Sequence, residues 1–197
     1  ITISVSKAKN AVKVYDFYQT SDHVYVVMEL LTGGDLLDAL LETGGLEEGD
    51  AARVMKELLE GMRDIHDRSI THRDLKLENI IMARRDDFKS LRIADFGLAR
   101  AHGPTSNLLT LVGTYPYMAP ELLDNQAYNN SVDVYSFGIV MWECLTRDEP
   151  FRGHSPMQIV ATLLRGERPK LPASPALPSS YVRLLMECWA TQPERRP

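Results

Sequence analysis

Eight consecutive residues, His72-Arg73-Asp74-Leu75-Lys76-Leu77-Glu78-Asn79, crowd a carboxylate, a cation and an amide oxygen into one short polar run. Phosphoryl transfer asks for those groups: a base that orients and accepts the proton of an attacking hydroxyl, a cation against the developing charge, and oxygen ligands for Mg²⁺. Sixteen residues after Asn79, Asp95-Phe96-Gly97 supplies a second oxygen ligand. Each element alone is weak, because any of these residues could be a solvated loop residue and a tripeptide arises by chance. Order and spacing carry the weight.

The run resembles the catalytic loop of eukaryotic-type protein kinases, down to the Asp-to-Asn spacing. The resemblance implies that Asp74 is the base, that Lys76 steadies the transferred phosphate, and that Asn79 holds one metal ion. It makes Asp95 the ligand of the phosphate-bridging Mg²⁺, with Phe96 packed beneath it and Gly97 completing the motif. Farther on, Ala119-Pro120-Glu121 resembles the element that closes the family's activation segment, and Arg196 falls where the family's arginine pairs with that glutamate. Asp133 stands inside an otherwise apolar run and would be expensive to bury unpaired. By resemblance it accepts hydrogen bonds from the backbone around His72 and Arg73.

In "GTYPYMAPE", Thr114 takes the place of the threonine that bridges the Asp and Lys of serine/threonine-directed members. With Lys76 it favours Ser/Thr hydroxyls as acceptors and does not exclude tyrosine or dual specificity. Thr110 matches the usual regulatory phosphosite and, once phosphorylated, would pair with Arg73; the plainer alternative is that Thr105, Ser106 and Thr110 belong to a polar loop. "VVMELLTGGD" resembles the hinge between kinase lobes. Met28 would then guard the back of the adenine pocket, backbone groups of Glu29 and Leu31 would bond adenine, and Asp35 would reach the ribose. Ile81 would lie against the base, though for Met28 and Ile81 core packing is an equally good reading.

Those groups need a scaffold, and its elements are legible. The first thirty residues read as strands, "ITISV", "AVKVYDFY" and "VYVVMELL". Asp35 caps a helix over "LLDALLE" that Gly44 and Gly45 end. Ala51, Val54, Met55, Leu58, Met62 and Ile65 form one buried helical face. "NIIM" and "LRIA" make a hairpin with the chemical motifs at its ends. Residues 131–146 are apolar almost all round and predict a helix buried on every side. Ser155 and Pro156 open a further helix closed by Gly166, Ser179 and Ser180 precede another, and the proline-rich stretch 169–178 is a loop. Trp142 and Trp189 read as core. The fold class expected is α+β, a protein-kinase-like fold: residues 1–27 as a remnant of the small-lobe β-sheet, 28–35 as the hinge, and 36–197 as a mostly helical large lobe cut off before its last helix.

Composition bounds the rest. A net charge of -5 over 197 residues gives no basic footprint for nucleic acid. No apolar run approaches the ~18 residues of a membrane span, and no signal-peptide core opens the chain. Cys144 and Cys188 sit in apolar helical patterns and read as buried free thiols of a reducing compartment, hence an intracellular, cytoplasmic protein. The resemblance implies ATP and Mg²⁺ as cofactors and Ser/Thr-bearing proteins as substrates; nothing in the sequence speaks to oligomeric state. No G-x-G-x-x-G loop precedes the hinge, and Lys7, Lys9 and Lys13 do not sit in the setting of the family's phosphate-anchoring lysine. The expectation is a partial domain that binds Mg-ATP poorly by itself. A non-catalytic pseudokinase scaffold is the rival reading, opposed by the retained Asp74, Asn79 and Asp95; a small-molecule kinase of related fold is opposed by Thr114, Glu121 and Arg196.

Overall fold

A computed structural model describes residues 5, 7–85, 87–101, 114–171 and 179–197. Strands β1 (Val14–Gln19) and β2 (Val24–Met28) form an antiparallel ribbon running from Val14↔Met28 to Gln19↔Val24, with an irregularity between Val14 and Asp16. β-Branched and aromatic residues favour the pleat. The turn is fastened by Thr20, whose amide donates to the His23 carbonyl at 2.8 Å while its hydroxyl accepts the His23 amide at 3.1 Å. The ribbon is exposed on both faces, Met28 to 48%.

Of the strand expected over residues 1–5, residues 1–4 lie outside the described residues; the strand expected over 11–18 opens only at Val14, and Val5, Ala8, Ala11 and Val12 are buried against the main body. Among the described residues there, Ala11 forms a single parallel bridge with Ile93. Asn10 Nδ2 donates to the Glu57 carbonyl at 2.7 Å and to its carboxylate at 2.8 Å.

Helix α1 (Leu36–Thr43) is capped by Asp35, which accepts the Asp38 amide at 2.9 Å, and ends at Gly44, whose φ of 68° is the left-handed geometry glycine adopts without strain. Helix α2 (Glu48–Asp67) buries Val54, Met55, Leu58, Met62 and Ile65, while Ala51 is only partly covered. Two short strand pairs follow from the returning chain: β3 (Ile70–Thr71) with β6 (Arg100–Ala101), and β4 (Ile80–Met82) with β5 (Leu91–Ile93) in the expected hairpin, Ile80↔Ile93 to Met82↔Leu91.

Helix α3 (Pro120–Leu123) is a single turn. Helix α4 (Ser131–Thr146) is buried from Val132 to Cys144 at all but one position, Val134 being half-buried, and organises the core, since each fully buried Ile, Phe or Met contributes about 1.5–3 kcal/mol. Helix α5 (Pro156–Leu164) opens with a reciprocal capping box between Ser155 and Gln158. Helix α6 (Ser179–Cys188) begins at Ser179 itself and packs against α4. Cys144 and Cys188 are free and buried, as are Trp142 and Trp189. No helix among the described residues is long and apolar enough to cross a membrane.

Candidate active site

The loop between β3 and β4 is held by its backbone. Asp133, on α4 and 1% exposed, accepts the His72 amide at 2.8 Å on Oδ2 and the Arg73 amide at 2.8 Å on Oδ1. Its Oδ2 also meets His66 Nε2 of α2 at 2.8 Å. Three hydrogen bonds compensate the desolvation of that carboxylate and fix a loop whose Arg73 adopts a φ of 69°. The His72 ring contacts the Ala94 carbonyl at 2.9 Å and packs edge-on against Phe96, centroids 4.8 Å apart.

Asp74 is thereby presented with its carboxylate in a small polar cluster. Lys76 Nζ lies 3.7 Å from Asp74 Oδ2 and donates to Thr114 Oγ1 at 3.0 Å; Thr114 in turn reaches Asp74 Oδ1 at 3.5 Å. Asn79 Nδ2 donates to the Asp74 carbonyl at 2.8 Å and to Oδ2 at 3.2 Å, which leaves the amide oxygen of Asn79 for a cation. The Asn79 carbonyl accepts the Ala94 amide at 2.8 Å, so the segment ending at Asn79 and the segment opening at Asp95 are fastened side by side at one end of the β4–β5 hairpin. Asp95 is exposed, sits at a φ of 57°, and accepts the Gly97 amide at 3.1 Å. Among the described residues no group of three or more His, Cys, Asp or Glu could hold a metal alone. An amide oxygen and one exposed carboxylate suit Mg²⁺ instead, a cation that binds through one or two protein oxygens and completes its shell with water and phosphate.

The model of the protein kinase domain matches residues 2–197. The chain belongs to the protein kinase family. Among the curated proteins similar to this kinase chain are calcium/calmodulin-dependent protein kinase type 1 of Caenorhabditis elegans, 36% identical over 158 residues, covering 80% of the chain and 45% of that protein, and serine/threonine-protein kinase H1 of Homo sapiens, 38% identical over 160 residues, covering 80% and 38%. Myosin light chain kinase A of Dictyostelium discoideum is 35% identical over 155 residues, covering 79% and 52%. The chain spans about half or less of the length of these relatives.

Two further buried polar pairs follow the site residues in this kinase chain. Glu121 of α3 meets Arg196 in a bidentate pair, Oε1 to Nη1 at 2.5 Å and Oε2 to Nη2 at 2.8 Å, fully buried and extended by Arg196 bonds to the Ser131 and Ala190 carbonyls. Just before α3, Tyr117 donates its hydroxyl to Glu143 Oε2 at 2.6 Å. Burial pushes the Glu143 carboxyl up to about 8 against the pull of the Tyr117 bond, with Glu78 and Glu149 raising it further. Burial likewise drives the Tyr117 hydroxyl far above its ordinary range. Sequence reasoning singled out neither residue, nor His66. Glu143 carried the same signal as Asp133, a carboxylate inside an apolar helix; Tyr117 and His66 carried none, since their partners lie 26 and 67 positions away.

The hinge residues of the kinase reading are brought beside the hairpin. Gly33 donates to the Met82 carbonyl at 3.0 Å, Met82 donates to the Gly34 carbonyl at 2.9 Å, and Asp35 bridges to Ile81. The Glu29 side chain is turned to Arg92, at 3.3 Å, and to the Lys13 amide, at 2.8 Å, and its amide donates to the Lys13 carbonyl at 2.9 Å. Leu31 and Ile81 are half-buried. Thr110, with Thr105 and Ser106, lies outside the described residues.

Proposed function

We propose that this chain carries the catalytic portion of an ATP-dependent protein kinase that transfers the γ-phosphoryl group of Mg-ATP to Ser or Thr hydroxyls of protein substrates. The observation that carries the reading is the cluster of Asp74, Lys76 and Thr114, with Asn79 bonded to Asp74 on one side and to Ala94 on the other. Asp74 orients the acceptor hydroxyl and takes its proton; Lys76 sits where charge develops; Thr114 sets the distance between them. Asn79 and Asp95 would hold Mg²⁺, which neutralises the phosphate oxygens. The hinge backbone at Glu29 and Leu31, the Ile81 side chain and Asp35 form the nucleotide side, with Met28 at its edge. Phosphate on Thr110 would pair with Arg73. No Gly-rich phosphate loop occurs in these 197 residues, so the reading includes weak Mg-ATP binding by the chain alone.

The test is phosphate transfer by the full-length gene product to mixed serine, threonine and tyrosine peptides. Wild type is expected to label serine and threonine peptides, and Asp74→Asn to lose roughly 10²–10⁴-fold in kcat. An Asp74→Asn variant as fast as its parent, or label confined to tyrosine, would refute it.

A further inference from the structure

Residues 128–130, between α3 and α4, grip the catalytic loop on both sides of His72. Thr71 donates its hydroxyl to Asn130 Oδ1 at 2.9 Å, and Arg73 donates from Nη1 to the Tyr128 hydroxyl at 3.2 Å. Between these two ties the His72 amide is bonded to Asp133. Arg73 carries the left-handed φ of 69° at the residue immediately before Asp74, a conformation that persists only where the surroundings over-determine it. Its guanidinium is half-buried, and its side-chain partners among the described residues are two neutral oxygens: the Leu98 carbonyl, reached from Nε at 2.5 Å, and the Tyr128 hydroxyl. One side chain therefore joins three segments: the catalytic loop, the turn after Asp95, and the lead-in to α4. Tyr128 itself packs against the core, so its hydroxyl is a fixed acceptor and not a drifting one.

We propose that Tyr128 is a positioning residue for phosphoryl transfer. Its hydroxyl holds the Arg73 guanidinium, and through Arg73 the strained backbone that presents Asp74, without help from an anion. The inference rests on the kinase reading for its functional half only; the structural half stands on the contacts. Phosphate arriving at Arg73 would meet a guanidinium already in place.

A two-by-two set of Tyr128→Phe and Arg73→Met, which keep the ring and the aliphatic stem, separates the possibilities. In amide hydrogen exchange of the chain, Tyr128→Phe is expected to speed exchange at residues 72–74 roughly tenfold, the effect of losing one hydrogen bond to a charged group. The same change in the Arg73→Met background should add nothing. In the full-length gene product Tyr128→Phe should lower kcat roughly tenfold with KM for ATP and peptide unchanged. Wild-type exchange at residues 72–74, an equal increment in both backgrounds, or a rise in KM alone would overturn the proposal. If the wild-type product transfers no phosphate, the kinase reading fails, and the exchange cycle still decides whether Tyr128 acts through Arg73.

Discussion

Single side chains set how this site responds to pH. The Glu143 carboxyl keeps its proton in the folded chain up to about 8, because burial disfavours its charge, whereas in the unfolded chain it ionises near the ordinary 4.5. Between those values the folded state binds one proton more than the unfolded state. The stability from this group is therefore complete below the unfolded value and is lost as pH rises through the folded one, with a slope of at most about 1.4 kcal/mol per pH unit. Glu143→Gln keeps the acceptor for Tyr117 and removes the titration. Urea midpoints should show the variant gaining on wild type as pH rises from 4.5 to about 8 and levelling off above it; parallel pH profiles would mean the carboxyl is ionised throughout. At this scale the sequence was most readable where a charge interrupted an apolar pattern. Asp133 stood out for that reason and so could Glu143. Tyr117, His66 and Tyr128 were opaque, because an aromatic or imidazole side chain looks alike in a core and in a network, and only its distant partner tells them apart.

Elements meet where backbones touch. The hinge and the β4–β5 hairpin are joined by reciprocal bonds between Gly33, Gly34 and Met82, and a Cβ on Gly33 would stand 2.6 Å from the Arg84 carbonyl group and from the Met82 Cβ. Gly33→Ala must part the two strands of this seam, at about 1–3 kcal/mol. Thermal unfolding should fall by roughly 3–10 °C, and exchange at the Met82 amide should rise; an unshifted melting curve would show that the seam can widen freely. The helices other than the single turn α3 could be read because caps and periodicity agree with burial: Asp35 and Ser155 bond as caps, and the bounds of α4 follow its apolar run. The late start of β1 has the opposite origin: Ala11 and Val12 fit a strand by pattern, but both are buried and Ala11 is bridged to Ile93, so the ribbon opens only at Val14.

Across the whole molecule the binding contacts span long stretches of chain. Glu121 and Arg196 are 75 positions apart and share a buried bidentate pair. Removing one partner leaves an uncompensated buried charge, a loss of about 3–5 kcal/mol. Arg196→Ala should lower the melting temperature by roughly 6–20 °C, whereas replacing both partners with apolar residues of similar volume should recover part of it. Calorimetry of the two variants decides between charge and mere packing. The ribbon of β1 and β2 is the counterpart: it meets the body mainly through Glu29, Lys13 and Arg92, and its strands were legible from alternation while its two exposed faces were not. The same span has a consequence in time. A ribosome adds roughly 5–20 residues each second, so Glu121 waits roughly 4–15 s for its guanidinium to be made. Until then the Glu121 carboxylate has no guanidinium to neutralise it, so the burial of the α3 turn beside α4 must wait for the last residues of this stretch.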